Sequence, residues 1–274
     1  MFSIVILTYN EESSIQSCLE SINWCDDIVI IDSYSQDQTL EIGEKFGARV
    51  YKNEFVDFAQ QRNFANEEIK FKYQWVFHLD ADEHFNLDLK KECEVAIKKY
   101  EYGAFMVPSK TMLYDKWIKY AANYPVYQMR FHKIGDSRFI QHGHGQRETD
   151  LRKGLGFLTT PYEHFSYAKG ITNWLQKHVK YAEEEAYQFY QDNEKIKIKN
   201  LFSKNTIEQR RAIKRISATL PFRPVLRFLY FYIIKMGFRD GRIGYEYCKL
   251  QYLFELMVVF KSFEIRQKNK GIIS

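Results

Sequence analysis

Three short polar segments stand where predicted strands end, and their side chains are the first candidates for chemistry. A Thr-Tyr-Asn-Glu segment at residues 8–11 follows one apolar run, and Asp32 ends a second. An Asp-Ala-Asp-Glu segment at residues 80–83 directly follows the run Trp-Val-Phe-His-Leu. Carboxylates beside a dry strand are costly unless a cation or hydrogen bonds offset their charge. Because such oxygen ligands suit Mg²⁺ or Mn²⁺, the third segment favours a divalent ion shared with a substrate's phosphates.

The elements that carry these segments alternate between strands and helices. Apolar runs predict strands at residues 3–7, 27–31, 49–51 and 75–79. Apolar residues spaced by three and four predict the helices between them, with Asn10 and Asp37 expected to cap the first two. This alternation indicates a mostly parallel sheet covered by helices on both faces. Since ligands of such sheets lie beyond the carboxyl ends of the strands, we expect the polar segments to meet there.

The second half of the chain has a different pattern. After Gly103, strands are predicted at residues 104–107 and 126–134, and a polar, glycine-rich stretch follows at 142–148. From Ile171 onward the apolar spacing is helical, with a stripe of residues that we expect to be buried: Leu175, Val179, Ala182, Ala186 and Phe189. Two further helices are predicted at residues 223–236 and 244–263.

Composition supports a folded chain with two dissimilar parts. The 274 residues are 45% hydrophobic and 17% aromatic, which excludes a disordered, collagen-like or disulfide-scaffold protein. The net charge of +5 divides unevenly, with 19 Lys and Arg against 25 Asp and Glu at residues 1–165. Residues 166–274 carry 21 basic and 10 acidic side chains. We therefore expect an α/β catalytic domain at residues 1–168 and a basic, aromatic helical extension at residues 169–274.

The cysteines and the apolar runs bear on location. Four cysteines form no C-x-x-C pair and no zinc spacing, which favours reduced, structural cysteines in the cytosol. The N-terminal apolar run has no basic start and no small-residue cleavage site, so we expect a strand and not a signal peptide. No apolar run reaches the ~18 residues that a spanning helix requires. The sequence predicts a cytoplasmic chain that does not cross a membrane.

Four motifs, taken in order, resemble glycosyltransferase family 2. They are Thr-Tyr-Asn-Glu at 8–11, Asp-Ser-x-Ser-x-Asp at 32–37, Gln-Arg-Asn at 61–63 and Leu-Asp-Ala-Asp-Glu at 79–83. Later segments resemble the branch that builds lipopolysaccharide cores and other surface glycans: His-Gly-Gln-Arg-Glu at 144–148, His-Phe-Ser-Tyr at 164–167, Trp-Leu-x-Lys-His at 174–178 and Gly-Phe-Arg-Asp-Gly at 237–241. The resemblance spans nearly the whole chain. It implies an inverting enzyme of GT-A fold, with a Rossmann-like, mostly parallel sheet, that uses nucleotide-diphospho-sugars.

The resemblance also implies roles for single residues. It implies that six side chains lie around the nucleotide: Thr8, Asn10, Glu11, Asp32, Arg62 and Asp80. It assigns a divalent ion, Mg²⁺ or Mn²⁺, to Asp82, with Asp80 facing the ribose and the metal and His164 reaching the metal or a phosphate. A structural histidine at position 164 is the open alternative. Such an ion would neutralise the diphosphate as it departs.

An inverting transfer also needs a base that takes the proton of the acceptor hydroxyl. Glu148 is our candidate, and Asp150 is the second choice. The alternative for Glu148 is a solvated carboxylate paired with a neighbouring arginine. Arg130 lies in an apolar strand, so it either contacts the diphosphate or pairs with a buried carboxylate.

The basic helical part suggests a surface partner. Residues 221–235 are apolar on almost every side but carry Arg223, Arg227 and Lys235. This combination suits the headgroup region of an anionic membrane, although a helix buried by its neighbours is an open alternative. The run at residues 195–215 has the character of a charged surface, and it has no nucleic-acid-binding motif. We expect a peripheral protein on the inner face of the cell membrane and no nucleic-acid partner.

The expected function is metal-assisted, inverting transfer of a hexose from a nucleotide-diphospho-sugar, with a UDP-sugar favoured, to a growing lipopolysaccharide or other surface glycan. A nucleotide-sugar-forming nucleotidyltransferase is one alternative. That class needs a glycine-rich, lysine-bearing loop after the first strand, which residues 8–11 do not provide. A non-catalytic, membrane-associated protein that binds sugar nucleotides is the other, and the joint presence of Asp80, Asp82 and Glu148 argues against it.

Overall fold

The structure, a computed structural model, describes residues 1–99, 101–142, 145–191 and 222–272. The basic run at residues 195–215 lies outside the described residues. The chain forms two compact units. The sheet unit comprises Met1–Trp117 and Tyr124–Lys169, and the helical unit comprises Ile118–Asn123 and the described residues from Gly170 onward. The assignment of catalysis to residues 1–168 and of membrane association to residues 169–274 stays a prediction.

The first four strands of the sheet unit are parallel. They are β1 (Ser3–Thr8), β2 (Ile28–Asp32), β3 (Arg49–Lys52) and β4 (Trp75–Asp80), in the order β3-β2-β1-β4. Thr8 pairs with Asp32 across β1 and β2, and Leu7 pairs with Asp80 across β1 and β4. The polar segments therefore leave the sheet side by side, as the sequence predicts.

Four helices cover the two faces of these strands. They are α1 (Ile15–Ser21), α2 (Thr39–Lys45), α3 (Phe58–Glu68) and α4 (Leu87–Lys99). Side chains of a strand point alternately to opposite faces. Ile4 and Ile6 accordingly join one apolar core with residues of α1 and α4, whereas Val5 joins a second core with Ala65 of α3. The predicted α/β class, with a sheet flanked by helices, is confirmed.

The predicted cap at Asn10 is wrong, because α1 begins five residues later at Ile15, after Ser14. Asn10 instead has a φ of 52°, a left-handed conformation that Asn tolerates better than most residues. Its Oδ1 atom accepts a hydrogen bond from the Gln36 amide at 2.8 Å. The N-cap residue of α2 is Gln38 and not the predicted Asp37, although Asp37 Oδ1 accepts a hydrogen bond from the Thr39 amide at 3.0 Å.

A mixed group of strands extends the sheet beyond β4. The strands β8 (Val126–Lys133), β6 (Ala104–Leu113), β12 (Tyr162–His164) and β5 (Glu83–His84) follow in that order. The pairing is antiparallel at β4–β8, β8–β6 and β12–β5 and parallel at β6–β12. The short strands β7 (Lys116–Trp117) and β11 (Leu155–Phe157) also pair with β6. Phe77 of β4 and Phe105 of β6 both pair with Phe131 of β8. Because β6 continues six residues beyond its predicted end at 107, its last residues extend past the level at which β4 ends.

A separate hairpin of β9 (Arg138–His142) and β10 (Gly145–Thr149) follows β8. The amide side chain of Asn63 in α3 holds it: Asn63 Nδ2 donates to the Phe139 carbonyl at 2.8 Å, and Asn63 Oδ1 accepts from the Phe139 amide at 2.9 Å. These two bonds fix the hairpin against the helix that also carries Arg62.

The helical unit contains α5 (Gly170–Gln191), α6 (Arg223–Leu229) and α7 (Gly241–Asn269). A π-helical segment (Tyr230–Ile234) and a 3₁₀ turn (Gly237–Asp240) join α6 to α7. Val179 of the predicted stripe is 41% exposed, because the buried side of α5 runs through Trp174, Ala182 and Ala186. Among the described helices, none combines the length and the apolar character that crossing a bilayer requires.

Candidate active site

The turns after β1 and β2 are joined by hydrogen bonds around Asp32. The buried Asp32 carboxylate accepts from Thr8 Oγ1 at 2.7 Å, from the Ser35 amide at 2.7 Å and from Ser35 Oγ at 2.5 Å. The Asn10 amide in turn donates to Ser35 Oγ at 2.8 Å. Three of the side chains predicted to border the nucleotide are therefore brought together. Their contact with a nucleotide stays a prediction.

A cleft of about 520 Å³ lies next to these turns. It is lined by residues that follow β1, β2 and β12: Asn10, Glu12, Ser13, Gln36, Asp37, Ala168 and Lys169. Lys169 Nζ bonds Glu11 Oε1 at 2.6 Å and the Asn10 carbonyl at 2.7 Å. Burial raises the pKa of Glu11, although the bonds from Lys169 and Ser14 oppose this shift. Sequence reasoning missed Lys169, which is marked only by its place two residues after the His-Phe-Ser-Tyr motif.

The acidic turn after β4 is organised by a buried arginine. The Nη2 atom of Arg130 donates to Asp80 Oδ2 at 2.7 Å and to Glu83 Oε1 at 2.6 Å. The second oxygen of Glu83 accepts from the Asp80 amide at 2.9 Å. Arg62, also buried, reaches Asp80 Oδ1 at 3.3 Å. Of the two predictions for Arg130, pairing with buried carboxylates is the one that the structure shows.

These contacts and burial shift the pKa values of the two carboxyl groups of the turn in opposite directions. Burial opposes the charged form of Asp80, but Arg130 and Arg62 outweigh it and lower the pKa of Asp80 well below its usual value. Burial raises the pKa of Glu83 to about 8, against the opposite effect of Arg130. Asp80 therefore ionises more readily than Glu83. Glu83, which sequence reasoning left without a role, supports the turn from inside the protein.

Asp82 and His164 face each other beside this turn. Strand β12 pairs His164 with Glu83, and His164 Nε2 lies 3.4 Å from Asp82 Oδ2. Burial alone would lower the pKa of His164, but the carboxylates of Asp82, Glu83 and Asp80 raise it to about 9. Both predicted metal-binding side chains are partly exposed, about 30% in each case. They are therefore accessible from solvent.

The donor set of Asp82 and His164 fits a divalent ion that completes its shell with substrate oxygens. A carboxylate oxygen and a neutral imidazole nitrogen both bind Mn²⁺, and an arriving cation would replace the proton of His164. In the described part of the chain, no three His, Cys, Asp or Glu side chains form a metal-binding group. Both oxygens of Asp80 already accept hydrogen bonds, although a carboxylate oxygen keeps a second lone pair. Direct metal binding by Asp80 stays a prediction.

Glu148, the predicted base, lies on β10 directly opposite Phe139 of β9. Directly paired residues of an antiparallel hairpin share a face, so the half-buried Glu148 side chain lies on the same side as Phe139. The Phe139 ring is buried and its centroid lies 6.0 Å from the Arg62 guanidinium carbon. The hairpin thereby places Glu148 on the side that faces Arg62, which binds Asp80. Its role as a base stays a prediction.

The Gln-Arg-Asn motif of α3 connects these parts. Gln61 Nε2 donates to Ser33 Oγ at 3.1 Å in the turn after β2. Arg62 binds Asp80 after β4, and Asn63 holds the β9–β10 hairpin. Three consecutive residues of one helix thus fix three separate parts of the site.

Comparisons with known proteins give the following matches. The model of a family described as "Glycosyl transferase family 2" matches residues 3–154. An uncharacterized glycosyltransferase of Rickettsia bellii is 34% identical over 93 residues, which are 34% of this chain and 31% of that protein. LpsC of Rhizobium meliloti, a lipopolysaccharide core biosynthesis glycosyltransferase, is 32% identical over 94 residues, 32% of this chain and 34% of that protein. The chain thus spans about a third of the length of these curated relatives.

The solved structures that match are more distant in sequence. Residues 1–349 of S. aureus TarS are 14% identical, with a TM-score of 0.45, and the match covers 97% of this chain and 91% of that chain. Glucosyl-3-phosphoglycerate synthase of Mycobacterium tuberculosis, in complex with Mn²⁺, UDP and glucosyl-3-phosphoglycerate, is 20% identical, with a TM-score of 0.34. That match covers 41% of this chain and 44% of that chain.

Replacing Arg130 tests the buried cluster. We expect Arg130→Met to lower the free energy of unfolding by about 3–5 kcal/mol, because it leaves the buried Glu83 and the partly exposed Asp80 without the cation that they share. Urea denaturation measures the change. The matched control is Arg138→Met, since Arg138 is mostly exposed and its Nη2 atom lies 3.6 Å from Glu67 Oε1. Such an exposed ion pair is expected to contribute about 0–1 kcal/mol to the free energy of unfolding. Equal losses in the two variants would contradict the prediction.

Proposed function

The chain belongs to glycosyltransferase family 2, and we propose that it transfers a hexose, with inversion, from a nucleotide-diphospho-sugar to a growing cell-surface glycan. The observation that carries the proposal is the edge where β1, β2 and β4 end. There an accessible Asp82–His164 pair adjoins a charged Asp80 and the cleft beside Asn10. This arrangement suits a diphosphate and its cation, and the sheet order agrees with the GT-A fold that the resemblance implies.

We propose a UDP-sugar as the donor and lipopolysaccharide, or another surface glycan, as the acceptor. The similarity to LpsC, which is named for lipopolysaccharide core biosynthesis, supports the acceptor class. Family membership removes the main reason to consider a nucleotidyltransferase.

The transfer requires one bond to form and one to break. The acceptor hydroxyl oxygen attacks the anomeric carbon from the side opposite the diphosphate and forms the new glycosidic bond. The bond from that carbon to the diphosphate oxygen breaks, and its electron pair leaves with the nucleoside diphosphate. The Glu148 carboxylate takes the proton of the acceptor hydroxyl and later releases it to water. Because attack and departure occur on opposite sides, the configuration inverts.

The remaining residues hold the donor in place. A divalent cation held by Asp82 and His164 would neutralise the charge of the departing diphosphate. Arg130 and Arg62 keep the Asp80 carboxylate ionised and oriented at the end of β4. The Asp32 network fixes the turns that border the nucleotide.

The helical unit also supports the proposed membrane location. Exposed apolar side chains follow one another in residues 222–238: Phe222, Leu226, Leu229, Ile233, Ile234, Met236 and Phe238. Phe222 is 78% exposed and Ile234 is 68% exposed, which is unusual for such large apolar groups. The exposed Arg239 supplies positive charge, whereas the charge of the exposed Arg227 is partly offset by Glu255, whose Oε1 atom lies 3.4 Å from Arg227 Nε. Arg223 supplies none, because it is buried and pairs with Glu255 and Glu185. We propose that this surface rests on an anionic inner leaflet.

Asp82→Asn tests the proposed metal ligand. We expect the variant to lose the part of its UDP binding that depends on Mn²⁺, because an amide is a far weaker ligand than a carboxylate. Isothermal titration with UDP, with and without Mn²⁺, measures this. Asp88→Asn is the control, since Asp88 is exposed on α4 and pairs only with Lys91 in the described structure. Metal-dependent binding that survives Asp82→Asn would refute the assignment.

Glu148→Gln tests the proposed base. We expect UDP binding to stay intact and turnover of UDP-hexoses to fall by roughly 10²–10⁴-fold, the usual size of a general-base effect. The matched control is Asp150→Asn, which removes the second carboxylate of the same hairpin end. Normal turnover by the Glu148 variant, or a larger loss in the Asp150 variant, would show that Glu148 is not the base.

The double variant Ile233→Ser, Ile234→Ser tests the membrane surface. We expect its binding to phosphatidylglycerol vesicles to weaken by roughly tenfold or more, since burying one isoleucine is worth roughly 1.5–3 kcal/mol. Vesicle co-sedimentation measures the binding. Phe55→Ser, Val56→Ser removes a similar exposed apolar pair from the sheet unit and should have no effect. Unchanged binding by the first variant would rule out this surface.

A further inference from the structure

The Gly-Phe-Arg-Asp-Gly segment at residues 237–241 has no part in the catalytic proposal. In the helical unit it forms the 3₁₀ turn Gly237–Asp240 and leads into α7. Asp240 stands at the N-cap position of α7, where an aspartate ordinarily accepts a hydrogen bond from an amide of the first helical turn. The Asp240 side chain makes no such bond. Its carboxylate is turned to a different segment.

That segment is Ile118–Asn123, where the carboxylate accepts hydrogen bonds from three successive backbone amides. Asp240 Oδ2 accepts from the Tyr120 and Ala121 amides at 2.9 Å each. Asp240 Oδ1 accepts from the Lys119 and Tyr120 amides at 3.2 Å each. Bonds to an ionised acceptor are roughly twice as strong as neutral ones. Successive amides that converge on one point form an anion-binding concavity, which this protein fills with its own carboxylate.

The rest of the motif completes a closely packed seat for the segment. A Cβ atom at Gly237 would lie 2.7 Å from the Phe231 carbonyl oxygen and 3.1 Å from the Ala121 Cβ, so only glycine allows this approach. The guanidinium carbon of Arg239 lies 4.6 Å from the centroid of the Tyr120 ring. Ala121 itself is fully buried. The motif thus fixes the segment by charge and by shape together.

The segment is the middle of the connection between β6 and β8. In the sheet unit, β6 passes His164, which pairs with Thr111, and continues beyond the level at which β4 ends. The chain then forms β7, enters Ile118–Asn123 and returns at Tyr124. Residues 114–117, the part of the connection that belongs to the sheet unit, follow β6 within a few residues of the pair Thr111 and His164. They are therefore well placed to contact an acceptor that must reach a donor bound at this edge.

We propose that Asp240 is a positioning residue for acceptor recognition: within the helical unit its carboxylate fixes Ile118–Asn123, and through the continuous chain this constrains the preceding residues 114–117 of the sheet unit, which contact the acceptor glycan. The inference rests on the proposed function. It predicts that loss of the carboxylate raises the KM for the acceptor while leaving donor binding and donor hydrolysis unchanged. A residue needed only for general stability would not produce this separation.

The test uses the full chain with Asp240→Ala, Asp240→Asn and Asp240→Glu. The control is Glu246→Gln, which removes a carboxylate from the first turns of α7 that pairs with Lys249. Hydrogen exchange of the amides at residues 119–121 reports on the anchor. UDP titration with Mn²⁺, hydrolysis of UDP-glucose and UDP-galactose, and transfer to lipid-free lipopolysaccharide core oligosaccharide report on the enzyme.

We expect amide exchange at residues 119–121 to rise at least tenfold in Asp240→Ala and less in Asp240→Asn, which keeps one acceptor oxygen. The KM for the oligosaccharide should rise about tenfold, with UDP binding and donor hydrolysis within twofold of the wild type. Asp240→Glu should recover part of both losses, and Glu246→Gln should match the wild type. If Asp240→Ala does not fold, the same comparison is made with Asp240→Asn.

Two results overturn the inference. Unchanged exchange at residues 119–121 would show that Asp240 is not the anchor, and increased exchange with an unchanged acceptor KM would show that the anchored segment does not serve the acceptor. Failure of the proposed function has a different signature: the wild type would neither bind UDP nor consume the UDP-hexoses. The acceptor role then fails with it, whereas the exchange result still decides whether Asp240 holds the segment.

Discussion

The candidate active site, at the edge of the sheet where β1, β2 and β4 end, depends on the ion pairs of the buried Arg130 guanidinium. This guanidinium is the shared partner of Asp80 and Glu83, and without it the buried Glu83 would lose its cation and Asp80 would keep only the longer bond from Arg62. Arg130 lies on β8, which pairs with β4 in the antiparallel direction. The mixed strand order of the sheet therefore places the Arg130 guanidinium at the end of β4. Buried ion pairs often stabilise a fold less than apolar packing would. In the proposed function, the pair of Arg130 with Asp80 has a further role, because the turn must present a charged carboxylate at the edge.

The three-residue motif of α3 connects three separate parts of the same edge to one helix. Consecutive side chains of a helix point about 100° apart, so Gln61, Arg62 and Asn63 fan out in three directions. One helix therefore reaches the turn after β2, the carboxylate after β4 and the β9–β10 hairpin. A strand, whose side chains alternate between only two faces, does not offer this reach. The helix α3 therefore holds both the acidic turn and the hairpin that carries the predicted base.

The parts that could be predicted from the sequence are those decided by local patterns. Apolar runs located β1, β2 and β4 within a residue or so, since burial on both faces leaves a continuous apolar signal. Asn10 was misassigned because its conformation is set by Ser35 and Gln36, which are distant in sequence. The partner of Arg130 was undecided for the same reason. Asp240 could not be interpreted either, because an aspartate before a helix predicts a cap and only the fold shows that it binds another segment.

Asp80 and Asp82, the two aspartates of the acidic turn, differ in role because arginine and histidine, their respective partners, lose a proton with different ease. Asp80 is bound to arginines, which stay protonated throughout the physiological range, so its contacts are permanent. Asp82 faces a histidine, whose proton can be lost when a divalent cation competes for the same carboxylate. The first pair therefore fixes the turn, and the second pair can open to the cation that the proposed function requires. A turn with arginines on both carboxylates would be rigid but closed, and one with histidines on both would lose its orientation whenever the cation left.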